Sequence, residues 1–413
     1  MGCIKTKKRN TKLMYKFIAR ELLLTLGVLA APFVPFVVKA NNGLPNSNGN
    51  LARGGYPAIA KTAPHRASKH TISQPDQTGY DIIKSLPFGF VKDGSVDYTL
   101  YLQEALNLHD NLVFPGFPIL VNDNGLVIGS NKTISFLPGA KIVLMPSSKK
   151  KYNIIKIDRA TNVTINNAVI EGDRQTHLGT EGESGMGIGI YSSNNITINN
   201  PTVSYCWGDG IYLGSAAGAP AVNNNVRIYN ARLLHNRRNG MSVITANQLV
   251  LSAPYAAYSD GVAPMCGIDF EPNSPDNELK NITVLNAVTE SNQGPGISVG
   301  LRNLYGRGNA GVDIQFVSPK DNGSAVGLKA TATLTRRLGS EIINGNINVV
   351  NPVWAKNSSS PTFFNLPDQN IKLLIKKPSI IDVDGRALSN KAALDNMMYK
   401  THINGNANCS ITF

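Results

Sequence analysis

Aromatic and charged residues are scarce in this sequence of 413 residues. Phe, Trp and Tyr make up 7% of the chain, Asp, Glu, Lys and Arg make up 16%, and there are only 4 cysteines. A composition this poor in charge excludes a coiled coil and a disordered acidic tail, and so few cysteines exclude a small disulfide-rich scaffold. Glycine, in contrast, occurs 38 times. Because glycine tolerates the backbone conformations that tight turns require, the sequence predicts many turns and a repetitive β architecture.

Much of the formal net charge of +13 lies at the start of the sequence. Residues 1–40 contain eight Lys and Arg residues but a single acid, Glu21. The basic run precedes an apolar stretch at 22–38, which is followed by the small residue Ala40. This order is typical of a secretory signal peptide. We therefore expect residues 1–40 to be a signal peptide, cleaved after Ala40, and the mature protein to be secreted, periplasmic or at the cell surface.

Residues 41–80 are rich in Pro, Gly, Asn and Ser without a sustained hydrophobic period, which predicts a flexible N-terminal extension. Beyond the leader the positive charge is mild, and no run of Lys and Arg is interleaved with aromatic residues. Nucleic-acid binding therefore finds no support in the sequence. The alternative to a cleaved leader is an uncleaved membrane anchor, but Pro32 and Pro35 interrupt the apolar stretch and make it marginal for spanning a membrane. We expect no membrane partner beyond the leader.

A three-part motif recurs along residues 160–301. Its first part is a short strand of alternating apolar and polar residues, such as Asn-Val-Thr-Ile at 162–165, and a second strand of about three residues follows. The third part begins with glycine, in steps of 23, 30, 27 and 29 residues, at Gly187, Gly210, Gly240, Gly267 and Gly296. Strands this short bury an apolar face only when successive repeats stack. The sequence therefore predicts an all-β fold, a right-handed parallel β-helix, in preference to a β-propeller with its longer repeats.

The ends of this solenoid are predicted to be capped. Asp97 precedes a helical pattern whose apolar face consists of Tyr98, Leu102, Ala105 and Leu106. A short N-terminal helix, capped by Asp97, would cover the first coil with this face. We assign residues 81–385 to the β-helix and residues 386–413 to a C-terminal tail or cap.

These features resemble the pectate-lyase-like superfamily of β-helix proteins over residues 80–385. The resemblance rests on Asp-Gly-Ser-Val-Asp-Tyr-Thr at 93–99, the capping helix and the repeated coils, and Gly-Ile-Asp-Phe-Glu-Pro-Asn at 267–273 is similar to uncharacterised bacterial and phage members. The superfamily includes polysaccharide lyases, glycoside hydrolases, alginate epimerases and phage tailspikes. The resemblance therefore implies a polysaccharide as the partner and, from the spikes, the option of a homotrimer. The Asp-Asp, Gly-His-Gly and Arg-Ile-Lys motifs of polygalacturonases do not occur here.

The glycine-led strands point their side chains alternately inward and outward. The second and fourth residues of these strands are apolar in all five repeats, so the third and fifth should face outward. In the fourth repeat these outward residues are Asp269 and Glu271, and Tyr212 is the equivalent outward residue two repeats earlier. Asp209 lies in the turn before Tyr212. Asp269, Glu271 and Asp209 are therefore the predicted catalytic residues, and Tyr212 is a predicted substrate contact.

The turns before these strands carry further polar and aromatic residues. Equivalent turns of a solenoid align along one edge, and long insertions there usually mark the binding face. Loops at 171–186 and 252–266 are predicted to form the walls of a groove for a polymer. The predicted substrate-binding residues in these turns are Asp173, Arg174, His177, Trp207, His235, Arg237, Arg238 and Tyr258.

Two kinds of reaction fit these residues. Glycoside hydrolysis needs one protonated and one ionised carboxyl group, which the predicted catalytic acids could supply. A lyase or epimerase acting on a uronate polymer needs a base, which the neighbouring basic residues or Tyr212 could provide, with Ca²⁺ held by Asp269 and Glu271. Because acids occupy the floor of the predicted groove, we favour a glycoside hydrolase, with calcium as the one cofactor to consider. A non-catalytic glycan-binding or surface-attachment protein is the other alternative.

Overall fold

The computed structural model describes residues 78–218, 222–304, 311–332, 343–366, 370–398 and 409–413. The predicted leader at 1–40, and the predicted extension at 41–80 apart from its last three residues, lie outside the described residues. In the described part, no helix is long and apolar enough to cross a membrane. Nearly all of its regular structure is β-strand, and every strand pairing within its sheets is parallel.

The described strands form three parallel sheets, each receiving one strand from most coils. Sheet 1 consists of Tyr80–Asp81, Asn111–Phe114, Lys132–Phe136, Thr161–Asn166, Asn194–Asn199, Asn224–Tyr229, Ala246–Ser252, Leu279–Leu285, Val312–Val317, Asn344–Val350, Asn370–Lys376 and Cys409–Thr412. Sheet 2 consists of Pro118–Val121, Lys141–Leu144, Val169–Glu171, Thr202–Ser204, Arg232–Leu234, Tyr255–Ala257, Val288–Glu290, Lys320–Asn322, Val353–Ala355 and Ser379–Ile381. Sheet 3 consists of Leu126–Ile128, Lys151–Asp158, Ser184–Tyr191, Ile211–Gly214, Met241–Val243, Ile268–Phe270, Pro295–Gly300, Val326–Thr331 and Ser360–Asn365.

The core is a set of apolar ladders that run along the axis between the three sheets. In sheet 3 one ladder is formed in register by Ile188, Ile211, Met241, Ile268 and Ile297. None of these side chains is more than 3% exposed. Each short strand buries its apolar residues against the coils before and after it, which is why the coils are stable only when stacked. The predicted right-handed parallel β-helix and the register of its glycine-led strands are confirmed.

Asparagine ladders form one corner of the helix. Asn162 and Asn195 adopt left-handed φ angles of 60° and 57°, which asparagine tolerates better than most residues. Asn195 Nδ2 donates to Asn162 Oδ1 at 2.7 Å, and Asn225 Nδ2 donates to Asn195 Oδ1 at 3.1 Å. Each amide therefore serves as both donor and acceptor between coils. The stacking explains why Asn recurs at this position of the repeat.

Two helices lie at the ends of the described coils. Helix α1, Thr99–Leu108, buries Leu102, Ala105 and Leu106, as the sequence predicted. Its N-cap position is Tyr98, one residue later than predicted, and Asp97 Oδ1 accepts the Thr99 N–H at 2.9 Å. Helix α2, Asn390–Met398, buries Ala393 and Met397 at the other end. The strands of the coils thus run to Ile381, with one further strand of sheet 1 near the C-terminus. Two short 3-10 helices, Ile82–Ser85 and Arg302–Leu304, complete the described helical structure.

Candidate functional site

A cavity of about 350 Å³ opens on the outer face of sheet 3, and we call it the acidic cavity. The strands Ser184–Tyr191 and Ile211–Gly214 contribute to its lining, together with turns from neighbouring coils. Its lining includes Glu183, Tyr191, Tyr212, Arg238, Glu271 and Asn273. Tyr212, Arg238 and Glu271, all predicted from the sequence, therefore meet at one depression, whereas Asp209 and Asp269 lie behind its surface.

Arg238 connects the carboxylates of this cavity. Its Nη2 donates to Glu271 Oε2 at 2.8 Å, and its Nη1 pairs with Asp209 Oδ2 at 3.2 Å. Its Nε lies 3.8 Å from Glu183 Oε2. The Asp209 side chain is fully buried, whereas those of Glu271 and Glu183 are 30% and 58% exposed. The two glutamates therefore reach the cavity, and Asp209 holds the guanidinium from beneath.

The electrostatics keep Arg238 charged. Burial alone would lower the pKa of its guanidinium, but the carboxylates of Asp209 and Glu271 raise that pKa above its ordinary value. Burial raises the pKa of the Asp209 carboxyl, and the charge of Arg238 opposes this rise. The guanidinium is thus a fixed positive centre, and it cannot accept a proton from a substrate.

Asn239 fixes the turn that carries Arg238. Its backbone N–H donates to Asp209 Oδ1 at 3.1 Å, and its Oδ1 accepts the Cys266 N–H at 2.7 Å. Its Nδ2 donates to Ser242 Oγ at 3.0 Å. Because these partners belong to three successive coils, the buried amide of Asn239 sets the position of Arg238 over the sheet.

Asp269 occupies the outward position that the sequence assigned to it, yet it is only 2% exposed. Asn239 Nδ2 lies 3.4 Å from its Oδ2. Burial raises the pKa of Asp269 to about 7, the charge of Glu271 contributes in the same direction, and Arg238 opposes the rise. Asp269 therefore changes its protonation state near neutral pH beneath the cavity.

The raised pKa of Asp269 predicts a pH-dependent loss of stability. The folded protein holds this proton up to a pH of about 7, whereas an unfolded chain releases it near its ordinary pKa of 3.8. The contribution of Asp269 to the free energy of unfolding should therefore fall as the pH rises from about 4 to 7. Urea unfolding at several pH values should show a shallower decline for Asp269→Asn than for the unchanged protein. Asp313→Asn, at an exposed position on sheet 1, serves as the control. Parallel pH profiles for Asp269→Asn and the unchanged protein would contradict the assignment.

Two tyrosines form a platform beside the acidic cavity. The rings of Tyr191 and Tyr212 lie 5.7 Å apart between centroids. A Cβ atom on Gly189 would lie 2.6 Å from the Tyr191 ring, and one on Gly214 would lie 2.3 Å from the Tyr212 ring. The two glycines therefore let the rings lie against the sheet, an arrangement suited to stacking on a sugar.

We expect Gly214→Ala to displace the Tyr212 ring, because the added methyl group would overlap it. Binding of an oligosaccharide should weaken roughly three- to tenfold, with little change in thermal stability, because a ring can turn away at small cost. The measurement is a binding isotherm for an oligosaccharide ligand. Gly300→Ala is a matched control on the same sheet, since its Cβ would meet only the Phe270 carbonyl oxygen at 4.0 Å. Equal affinities of the two variants would count against the platform.

Trp207 does not present a free face to a sugar, because it is only 7% exposed. The His177 ring stacks on it at 3.9 Å, and the Arg237 guanidinium lies 3.7 Å from its ring. His177 Nδ1 is hydrogen-bonded to Asp173 Oδ2 at 2.7 Å, and both of these side chains are fully buried. These four predicted contacts therefore form a packed cluster that holds the loop at 171–186, and this loop carries Glu183 to the cavity.

His235 and Tyr258 also lie away from the acidic cavity. Their rings stack at 4.8 Å, and Tyr205 continues the stack at 5.2 Å from His235. All three residues adopt left-handed φ angles at the corner between sheets 2 and 3. Arg174 donates to the His235 carbonyl oxygen at 2.7 Å and pairs with Asp260 at 2.7 Å. This group forms an aromatic ladder comparable to the asparagine ladders.

The cavity residues that were not among the predicted site residues include Glu183, Tyr191 and Lys151. Tyr191 occupies the outward fifth position of its strand, the position that identified Glu271, so the sequence pattern contained its signal. Glu183 lies in the loop whose length suggested a binding face. Lys151 comes from a coil before the clear repeats, where the pattern gave no register.

The predicted calcium finds no preformed cluster within the described ranges. No group of three or more His, Cys, Asp or Glu side chains there could hold a metal ion. Arg238 already pairs with Glu271, one of the two residues that were predicted to bind calcium. A role for calcium stays a prediction.

These features define the chain as a right-handed parallel β-helix protein. Solved structures with similar folds include a tailspike of Escherichia coli bacteriophage HK620, with a TM-score of 0.53 at 13% identity over 74% of this chain and 57% of the spike. A Yersinia enterocolitica family 28 exopolygalacturonase gives 0.52 at 12% identity, over 74% and 66% of the two chains. The A-module of the Azotobacter vinelandii mannuronan C-5 epimerase AlgE6 gives 0.50 at 16% identity, over 75% and 83%. Identities this low indicate a shared fold and leave the reaction open.

Sequence comparison finds two relatives in Bacillus subtilis strain 168. The uncharacterized protein YclG is 24% identical over 223 residues, which are 46% of this chain and 38% of YclG. The SPbeta prophage-derived uncharacterized protein YorA is 28% identical over 162 residues, which are 36% of this chain and 28% of YorA. This chain therefore spans well under two thirds of either relative. No family model matches the sequence.

Proposed function

We propose that this protein is an exported glycoside hydrolase that cleaves a polysaccharide in the acidic cavity. The observation that carries the proposal is that Glu183 and Glu271 both reach this cavity beside a tyrosine platform and are both close to one guanidinium. Glycoside hydrolysis requires two such carboxyl groups on either side of the scissile bond. The similar folds of a mannuronan epimerase and an exopolygalacturonase support a polysaccharide as the substrate, and the basic and apolar segment at 1–40 supports export.

The geometry favours Glu183 and Glu271 as the pair that contacts the substrate. They pair with different nitrogens of Arg238, so their nearest oxygens cannot lie more than about 9 Å apart, which is compatible with hydrolysis. Arg238 donates a hydrogen bond to Glu271 and fixes its carboxylate in the cavity, where Glu271 serves as the base or nucleophile. Glu183 is the more exposed group, so it reaches furthest towards a bound sugar and takes the place of the general acid.

Asp209 and Asp269 take positioning roles in this proposal. Both lie behind the cavity surface, where they hold or adjoin Arg238. Reach to the substrate is the first requirement of a catalytic acid, and a suitable pKa is the second. Asp269 has a suitable pKa but does not reach the cavity, whereas Glu183 reaches it.

The tyrosines and the arginine of the acidic cavity argue against a lyase. Burial raises the pKa of Tyr212 to about 12, and it also raises the pKa of Tyr191 above its ordinary value. The carboxylates raise the pKa of Arg238 as well. None of these groups is therefore poised to take a proton from a uronate at neutral pH, which a lyase or an epimerase requires.

The test is a panel of bacterial capsular, exopolysaccharide and plant uronan substrates incubated with the mature chain. New reducing ends without the ultraviolet absorbance of an unsaturated uronate would support hydrolysis. New reducing ends with that absorbance would show a lyase, and measurable binding without any cleavage would show a glycan-binding protein.

We expect Glu183→Gln to abolish cleavage and Asp269→Asn to retain most of it. The first variant loses the acid that reaches the substrate, whereas the second keeps a neutral group of similar shape beneath the cavity. The measurement is the initial rate of reducing-end release on the cleaved polymer. Full activity of Glu183→Gln with an inactive Asp269→Asn would transfer the role of the acid to Asp269.

A further inference from the structure

A second cavity lies next to the acidic cavity, and we call it the basic cavity. Its volume is about 420 Å³, and three of its lining residues, Lys151, Tyr191 and Ser215, also line the acidic cavity. The two cavities therefore form one continuous depression on sheet 3, with the Tyr191 ring at their boundary. Lys156 Nζ lies 5.7 Å from that ring, on the side of the basic cavity.

The basic cavity has an excess of positive charge. Lys151, Lys156 and Arg159 all line it. Lys156 and Arg159 share one carboxylate, that of Asp158, at 2.6 and 3.1 Å. Asp123, on another part of the wall, is matched by Lys149 at 2.6 Å.

Lys151 supplies charge that the protein does not neutralise. Its side chain is exposed, and it forms no ion pair with an acid in the part of the chain that the structure describes. Lys156 and Arg159 carry two positive charges and share the single negative charge of Asp158, so one positive charge is left over. Such a surplus in a concave site raises the local concentration of anions.

The register of sheet 3 aligns Lys151 and Lys156 with residues that line the acidic cavity. Lys151 pairs with Ser184 of the next coil, and Ser184 lines the acidic cavity. Lys156, Gly189 and Tyr212 occupy one outward column on successive strands. Neighbouring strands are about 4.8 Å apart, so Lys156 is two strand spacings, roughly 10 Å, from Tyr212. One extended polymer could therefore contact both cavities.

The geometry points to the basic cavity as a subsite for an anionic substituent, a carboxylate or a sulfate, of the polysaccharide bound in the acidic cavity. This inference rests on the proposed function for the identity of the polymer, and it adds that the polymer is acidic. Lys151 and Lys156 bind the anion, and Tyr191 separates it from the sugar at the two glutamates. Anionic polymers are therefore selected over neutral ones of the same backbone.

The test measures binding separately from cleavage. The full mature chain carrying Glu271→Gln is titrated with polygalacturonate, its carboxyl-reduced neutral form, sulfated carrageenan, alginate and neutral dextran. We expect at least one anionic polymer to bind more tightly than the neutral ones. Adding Lys151→Gln and Lys156→Gln should weaken that binding about tenfold at low salt, as the loss of two exposed charge pairs implies. If the lysine substitutions weaken binding of polygalacturonate or alginate, the anion at the subsite is a carboxylate. If they weaken binding of carrageenan alone, it is a sulfate.

The matched control removes two lysines of a different sheet. Lys372 and Lys376 are exposed on sheet 1, and Lys372→Gln with Lys376→Gln changes the net charge by the same amount. Binding of neutral polymers only, no binding of any anionic polymer, or equal weakening by both pairs of substitutions would each overturn the subsite. Lysine-dependent binding of an anionic polymer that the unchanged protein never cleaves would keep the subsite and refute the hydrolase.

Discussion

Replacing Glu271 by glutamine should lower kcat for polysaccharide cleavage about a thousandfold. Glutamine keeps the size of the side chain and can still accept a hydrogen bond from Arg238, but it can act neither as a base nor as a nucleophile. Loss of a positioned acid or base typically costs 10²- to 10⁴-fold in rate. The measurement is the rate of reducing-end release at saturating polymer, with affinity determined in parallel.

The matched control for this substitution is Glu171→Gln. Glu171 lies on sheet 2, where it pairs with Lys141 at 2.9 Å in a half-exposed position outside both cavities. We expect this variant to retain full activity and an unchanged melting temperature. Cleavage by Glu271→Gln at a rate near that of the control would remove Glu271 from the reaction.

Replacing Arg238 by methionine should destabilise the protein by about 3–5 kcal/mol, the usual cost of removing one partner of a buried ion pair. Asp209 has a fully buried side chain, and in this variant its charge would lose its cation. Glu271 and Glu183 would also face each other without the guanidinium near both of them. The free energy of unfolding in urea at neutral pH measures this loss.

The loss should shrink as the pH falls. Burial raises the pKa of Asp209, and without Arg238 the carboxyl would take up a proton more readily still. Adding Asp209→Asn should therefore recover much of the stability of the Arg238 variant, with an interaction energy visible in a double-mutant cycle. Arg302→Met, at an exposed position in a 3-10 helix, is the control and should change stability little. If Arg238→Met and Arg302→Met are equally stable, the ion-pair cluster does not hold the site together.

The register of the coils could be predicted because it depends on a strict local pattern. Glycine, then apolar residues at alternate positions, repeats five times, and stacking leaves one register that keeps Ile188, Ile211 and Ile268 inside. A slip of one residue would turn every apolar side chain outward. The asparagine ladder could be predicted for the same reason, since the coils stack in a fixed order.

The depth of the side chains could not be predicted, because it depends on contacts between distant parts of the sequence. Asp269 is outward by strand alternation, yet it is only 2% exposed, and Asn239 from the preceding coil lies 3.4 Å from its carboxylate. Trp207 is covered by His177 and Arg237, which lie 30 residues away on either side. Alternation gives the direction of a side chain, and only the loops decide whether solvent reaches it.

Because the coils of sheet 3 stack at a fixed spacing, the number of coils between two groups on its outer face sets the distance between them. Groups contributed by different coils can differ in position along the axis only by whole multiples of one strand spacing, about 4.8 Å. Lys156 and Tyr212 lie in one outward column and are therefore two strand spacings apart. Duplication or loss of a coil between two such groups would change the distance between them by one strand spacing, and neither group would itself need to change.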